Sequence, residues 1–163
     1  MSREYWVIAA LASASVLLLT VFSRGDRPRQ SLFLFLAAQT VTWPATIFSH
    51  YTGDIESPVR LFPKATDSSF ILAFVFSPAL FVAYYWHYPR TGGRLFPIAV
   101  TLAFAGGGAL VHVAVQKYTQ LLVYIAFSGY KMWLTGIIIF YLLRIYADWY
   151  FSRLAKARAG NPP

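Results

Sequence analysis

Five apolar runs divide the chain, at about 5–22, 31–51, 70–86, 95–115 and 133–150, each bounded by short polar stretches. A helix needs about 17–25 residues to cross the hydrocarbon core of a bilayer, and every run reaches that length. None shows the apolar–polar alternation of a barrel strand, and lipid leaves no other way to satisfy the backbone than a helix. The pattern therefore predicts an all-α, polytopic transmembrane helical bundle with about five spans. A sixth apolar stretch, 118–129, is too short to cross. Its length suits a short interfacial or re-entrant helix, or an extension of the fourth span beyond the bilayer. The bundle forms a single domain over 1–152, and 153–163 reads as a basic, disordered cytoplasmic tail.

The stretches between runs carry turn chemistry. Residues 23–30, SRGDRPRQ, combine Gly25 and Pro28 with three arginines; residues 87–94, HYPRTGGR, repeat the recipe with Pro89 and Gly92–Gly93. Tyr and Trp crowd the run ends, at Tyr5, Trp6, Tyr84, Tyr85, Trp86, Trp149 and Tyr150, where an interfacial belt would lie. The first run continues past its small residues at 12–15 into a further apolar block, so it reads as a retained span and not a cleaved leader. With five spans, one side collects eight Lys and Arg and the other five, Arg144 counting on neither. Positive charge stays inside, which predicts an outer N-terminus and a cytoplasmic C-terminus in the cell membrane.

Composition agrees. Of 163 residues, 58% are hydrophobic and only 12% charged, against about 25% charged in a typical soluble domain. The net charge of +8 sits at run ends, where anionic lipid headgroups would meet it; this excludes nucleic acid as the natural partner. There is no cysteine, hence no disulfide and no thiolate chemistry.

Candidate chemistry is sparse. Two histidines and two acids gather towards the outer face: His50, Asp54, Glu56 and His112, with Gln116 one turn beyond His112. Such a set has the ligand types for a divalent metal or a proton relay. The alternative is that both imidazoles are interfacial groups bonded to backbone. Arg144 and Asp148, four apart in the last run, form an intramembrane pair. No catalytic or cofactor pattern is present: GxSxG is missing, and the triple glycine at 106–108 lies inside a run. Pro44 and Pro78 interrupt two spans, as in the broken helices of transporters or in bundles whose neighbours compensate. Ala103/Gly107 and Ala105/Ala109 have small-xxx-small spacing, as do Ala9/Ser13 and Ala10/Ala14, so these two helices are expected to pack together or against another subunit.

The stretch SPVRLFPKATDSSF, 57–70, reads as a structured outer loop. Arg60 and Pro63 act as its clamp, Arg60 reaching Asp54 or Glu56, and Asp67, Ser68 and Ser69 cap the next helix. VRLFP followed by FILAFVFSPALFVAYYW resembles an uncharacterised family of small multi-pass membrane proteins of endospore-forming Firmicutes. Arg60, Phe62, Pro63 and Pro78 match its connector and central proline, while Leu61 replaces a proline. LVHVAVQKYTQLLVYI and the aromatic last run are similar to its closing segments, although the family often has an acid near the His112 position. The resemblance implies a helical protein of the bacterial envelope and supplies no activity. The expected role is a non-enzymatic accessory, scaffold or partner-binding subunit, in contact with lipid and with a homo-oligomer or membrane-protein partner. The alternative is a small oligomeric transporter or channel subunit with an outer-face His/acidic site.

Overall fold

The computed structural model describes residues 3–23, 27–62, 64, 67–90, 93 and 95–159. Its helices are α1 (Arg3–Phe22), α2 (Pro28–Tyr51), a third that opens as a π-helical segment (Ile71–Phe76) and continues as α3 (Ser77–His87), α4 (Leu95–Tyr118) and α5 (Gly129–Ala159). Four are long and apolar enough to cross a membrane, and the third is a shorter apolar helix, Ile71–His87. The all-α bundle expected from the runs is the fold. Pro28 opens α2, where its missing N–H costs nothing and its fixed φ suits a helix start. At the other end of the chain, α5 continues through residues 153–159 where a disordered tail was expected. Ala, Leu, Lys and Arg there are strong helix formers, and cations are favoured at a helix C-terminus.

The shortest helix is the innermost. Phe81, Val82 and Tyr84 have no exposed surface, and α1, α2 and α4 all pack on this element. The long helices turn large apolar side chains outward instead: Leu17, Phe48, Leu110 and Ile138 are all more than half exposed. An outer surface so rich in large apolar residues suits lipid. Two apolar clusters form the interior. One joins Leu34, Ala38, Phe81, Tyr84, Phe140 and Leu143; the other, nearer the N-terminal end of α1, joins Leu11, Ile55, Ile71, Leu72, Leu121 and Leu122.

Pro78 explains how α2 and the third helix lock together. Without an N–H, it cannot donate to Phe74 O four residues back or to Ala73 O five back. Gln39 Nε2 of α2 donates to Phe74 O at 2.8 Å, and Thr42 Oγ1 donates to Ala73 O at 2.9 Å. The π-helical register, with Ser77 N–H donating to Leu72 O, ends at this proline. At the far end of α3, three aromatic tips reach three helices. Tyr84 Oη meets Thr101 Oγ1 on α4 at 3.0 Å, Tyr85 Oη donates to Asp148 on α5 at 2.9 Å, and Trp86 Nε1 donates to Ser31 on α2 at 2.9 Å.

The small residues of α4 do not meet α1. Ala105 lies against Gly136 of α5, Gly106 against Trp133 of α5, and Gly108 beneath Leu80 of α3, while Ala9, Ala10 and Ser13 of α1 face outward. Close backbone approach thus serves the α4–α5 pair.

Residues 119–128 correct another expectation, for they form no helix. Val123–Tyr124 (β2) pairs antiparallel with Ile55–Glu56 (β1), with Ile55 opposite Tyr124. Further backbone bonds run from Val59 N to Gln120 O, and from Ile125 N and Ala126 N to Asp54 O. Val and Tyr favour extended backbone, and the long 52–70 connector offers an unpaired edge. The pairing places both connectors on one face of the bundle, as five crossings require. Gly53 starts this connector at φ +75° with no atom within 4 Å of an added Cβ. Gly53→Ala is therefore expected to cost about 1 kcal/mol through backbone strain alone, and Gly53→Asn less; chemical unfolding in mixed micelles measures both.

Candidate functional site

Beside the end of α2, the 52–70 connector bounds an open cleft of about 610 Å³. Trp43, Ile47 and Tyr51 of α2 form one wall; Glu56, Arg60 and Asp67 of the connector form the other. Arg60 and Asp67 make an ion pair across this connector. The expected partners of Arg60 were Asp54 or Glu56. Asp67 takes that place. The clamp's other member, Pro63, lies outside the described residues. With Asp67 largely exposed, such a pair contributes about 0–1 kcal/mol, so the strand pairing carries most of the loop's order. At the helix start the N-cap position falls on Phe70, which makes no side-chain cap bond.

The four candidate metal ligands do not converge, and among the described residues no group of three His, Asp or Glu could hold a metal ion. His50 Nδ1 lies 2.8 Å from Thr46 O and its Nε2 3.1 Å from Ser57 Oγ. A carbonyl only accepts, so Nδ1 carries the proton and Nε2 accepts from the serine hydroxyl. Both ring nitrogens are thereby occupied. Asp54 accepts from Thr52 Oγ1 at 2.8 Å, and Glu56 is exposed at the cleft rim.

His112 belongs to a different place. It is 8% exposed and lines two adjoining cavities, of about 80 and 60 Å³, inside the bundle. Thr42 of α2, Ser77 of α3 and Thr135 of α5 line both; Thr46, Ser49 and Ser69 line the first. Ile55, Leu122 and Phe127 of the stitched loops cover it from above. Thr42, Thr46 and Ser49 donate to backbone carbonyls. His112, Ser69, Ser77 and Thr135 have no hydrogen-bonding partner among the described residues. Sequence reasoning missed these hydroxyls. Their legible signal was the spacing of Thr42, Thr46 and Ser49, which share one helix face at i, i+4 and i+7.

Arg144 and Asp148 do pair, within a larger network than expected. Arg144 Nη1 donates to Asp148 Oδ2 at 3.1 Å, Tyr85 and Arg90 approach Oδ1 at 2.9 and 3.9 Å, and the Arg144 guanidinium lies 4.4 Å over the Tyr88 ring.

In the covering loop, burial pushes the Tyr124 phenol up to about 12, and its Oη has no hydrogen-bond partner among the described residues. Tyr124→Phe is expected to stabilise the protein by about 1 kcal/mol, because a buried unsatisfied hydroxyl is removed. The folded pKa lies above the unfolded value of about 10, so the phenol leaves stability unchanged below pH 10, and stability falls as pH rises from 10 towards 12, where only the unfolded chain ionises freely. Thermal unfolding in detergent at pH 8 and pH 11 should show that loss in the parent and less of it in the variant.

No family model, curated protein or solved structure matches this chain, so its chemistry rests on these sites alone.

Proposed function

We propose that the protein is a non-enzymatic accessory subunit of a bacterial cell membrane, with its N-terminus outside, that binds a segment of a partner protein in the outer cleft. The cleft supports this reading. Its volume is that of a binding site; Trp, Tyr and Arg, the residue types that anchor protein interfaces, line it; and its acids and Arg60 suit a backbone or side chain of either sign. The resemblance of VRLFP and the following span to a bacterial envelope family favours the same setting.

The test is a photoreactive benzoylphenylalanine at Tyr51, with a second at Leu110 on the lipid-facing side of α4, irradiated in native membranes. One discrete adduct at 51, absent at 110 and lost on Arg60→Glu, supports the reading; equal adducts at both positions contradict it. A small transporter subunit is the second reading. It is favoured by the convergence of hydroxyls from several helices with His112 on one buried cavity, and solute flux in liposomes would distinguish it.

A further inference from the structure

The seam between α2 and α5 carries two features that meet at Ile139. Along its inner half runs an open apolar groove of about 560 Å³, with Phe33, Leu36 and Val41 on one side and Leu142 and Tyr146 on the other. Along its outer half lie the cavities that hold His112. Ile139 of α5 lines the groove and both cavities. On α2 the groove ends at Val41 and the cavities begin at Thr42. From Ile139 to Tyr146 the groove spans about 10 Å at 1.5 Å per residue.

The chemistry changes sharply at that junction. Below it the lining is apolar apart from Thr40 and the Tyr146 hydroxyl; above it stand the imidazole of His112 and the hydroxyls of Ser69, Ser77 and Thr135. These four have no hydrogen-bonding partner among the described residues, and His112 and Ser69 are more than nine-tenths buried. Buried polar groups in native proteins are almost always bonded, to protein or to something else. A site of 80 Å³ has room for that something else, since one water needs about 10–15 Å³ of such space. The lining of the groove and of both cavities contains no Asp, Glu, Lys or Arg. A charged head would be desolvated there without a counter-ion, at a cost of several kcal/mol.

We propose that this seam is a binding site for an uncharged single-chain amphiphile, whose hydroxyl head bonds His112 and its neighbouring hydroxyls while its alkyl tail lies in the α2–α5 groove. The ligand enters sideways from the bilayer, because Ile55, Leu122 and Phe127 roof the polar end. Imidazole offers one donor and one acceptor, and each free hydroxyl offers both, so an alcohol head is satisfied in either direction. The site is separate from the outer cleft, and the proposal stands whether or not that cleft binds a partner.

The probe is a 16-carbon primary alcohol bearing a mid-chain diazirine, irradiated with the full-length protein in nanodiscs and mapped by mass spectrometry. Labelling should concentrate on residues 33–49 and 132–146. Hexadecanol should compete with it and hexadecanoate should not. His112→Leu should lower seam labelling about tenfold, as loss of one or two buried hydrogen bonds would. Thr135→Val, which keeps the shape of the wall, serves if His112→Leu fails to fold and should lower labelling in the same direction. Labels spread over Leu17 and Leu110 as densely as over the seam would overturn the proposal. So would equal competition by the carboxylate, or seam labelling unchanged in the folded variants.

Discussion

Thr42→Val combined with Gln39→Leu should destabilise the protein by about 4 kcal/mol, because it strips two carbonyls of their donors at once and each buried orphan costs about 1–3 kcal/mol. Valine nearly matches threonine in shape, so the loss at position 42 isolates the bond to Ala73 O at 2.9 Å. The cause is Pro78, which leaves Ala73 O and Phe74 O dependent on α2. Pro78→Ala in the double variant restores one backbone N–H for one of the two carbonyls and should recover about half of the lost stability, whereas Pro78→Ala alone should change little. Equilibrium unfolding in mixed micelles measures all three. Full additivity with no rescue would show that the two α2 side chains act by packing instead.

The second large effect is expected at Asp148. Its carboxylate accepts from Tyr85 Oη and Arg144 Nη1, with Arg90 3.9 Å away. Asp148→Ala leaves Arg144, whose side chain is only 18% exposed, without its acid. Breaking one side of a fully buried pair costs 3–5 kcal/mol; the partial exposure of Asp148 reduces the expected loss to about 2 kcal/mol. Replacing Arg144 as well, as Arg144→Met, should recover part of it, since no uncompensated cation then remains. Thermal unfolding of the single and double variants closes the cycle.

These effects show which parts of the fold could be read from residues. The five apolar helices were legible because lipid imposes length and apolarity on a crossing helix, and the observed helices begin or end within a few residues of the runs. The pairing of Arg144 with Asp148 was legible because four residues make one turn. Tyr85 was not, for it comes from another helix. The 119–128 connector misled because an apolar dozen residues has the length of a surface helix, while its real structure depends on pairing with β1, far away in sequence. Arg60 pairs with Asp67 and not with the expected Asp54 or Glu56, a choice that local pattern does not encode. The binding chemistry was the least legible part: His112 stood out, but the side chains facing it lie on three other helices, and only packing brings Thr42, Ser77 and Thr135 together. Two cues were visible: the spacing of Thr42, Thr46 and Ser49 on one helix face, and the proline at 78, which marked where α2 had to supply donors.

The arrangement as a whole depends on Ile71–His87 crossing the bilayer as a short inner helix with the two stitched connectors on one face. The chain has no cysteine, so single cysteines at Thr52, Gln120, Gly93 and Ala155 can be probed with a membrane-impermeant maleimide in intact cells and in inverted vesicles. Positions 52 and 120 should react from one side, and 93 and 155 from the other. Reaction of 52 and 93 from the same side would mean that the central helix does not cross, and the bundle described here would not be the structure in the membrane.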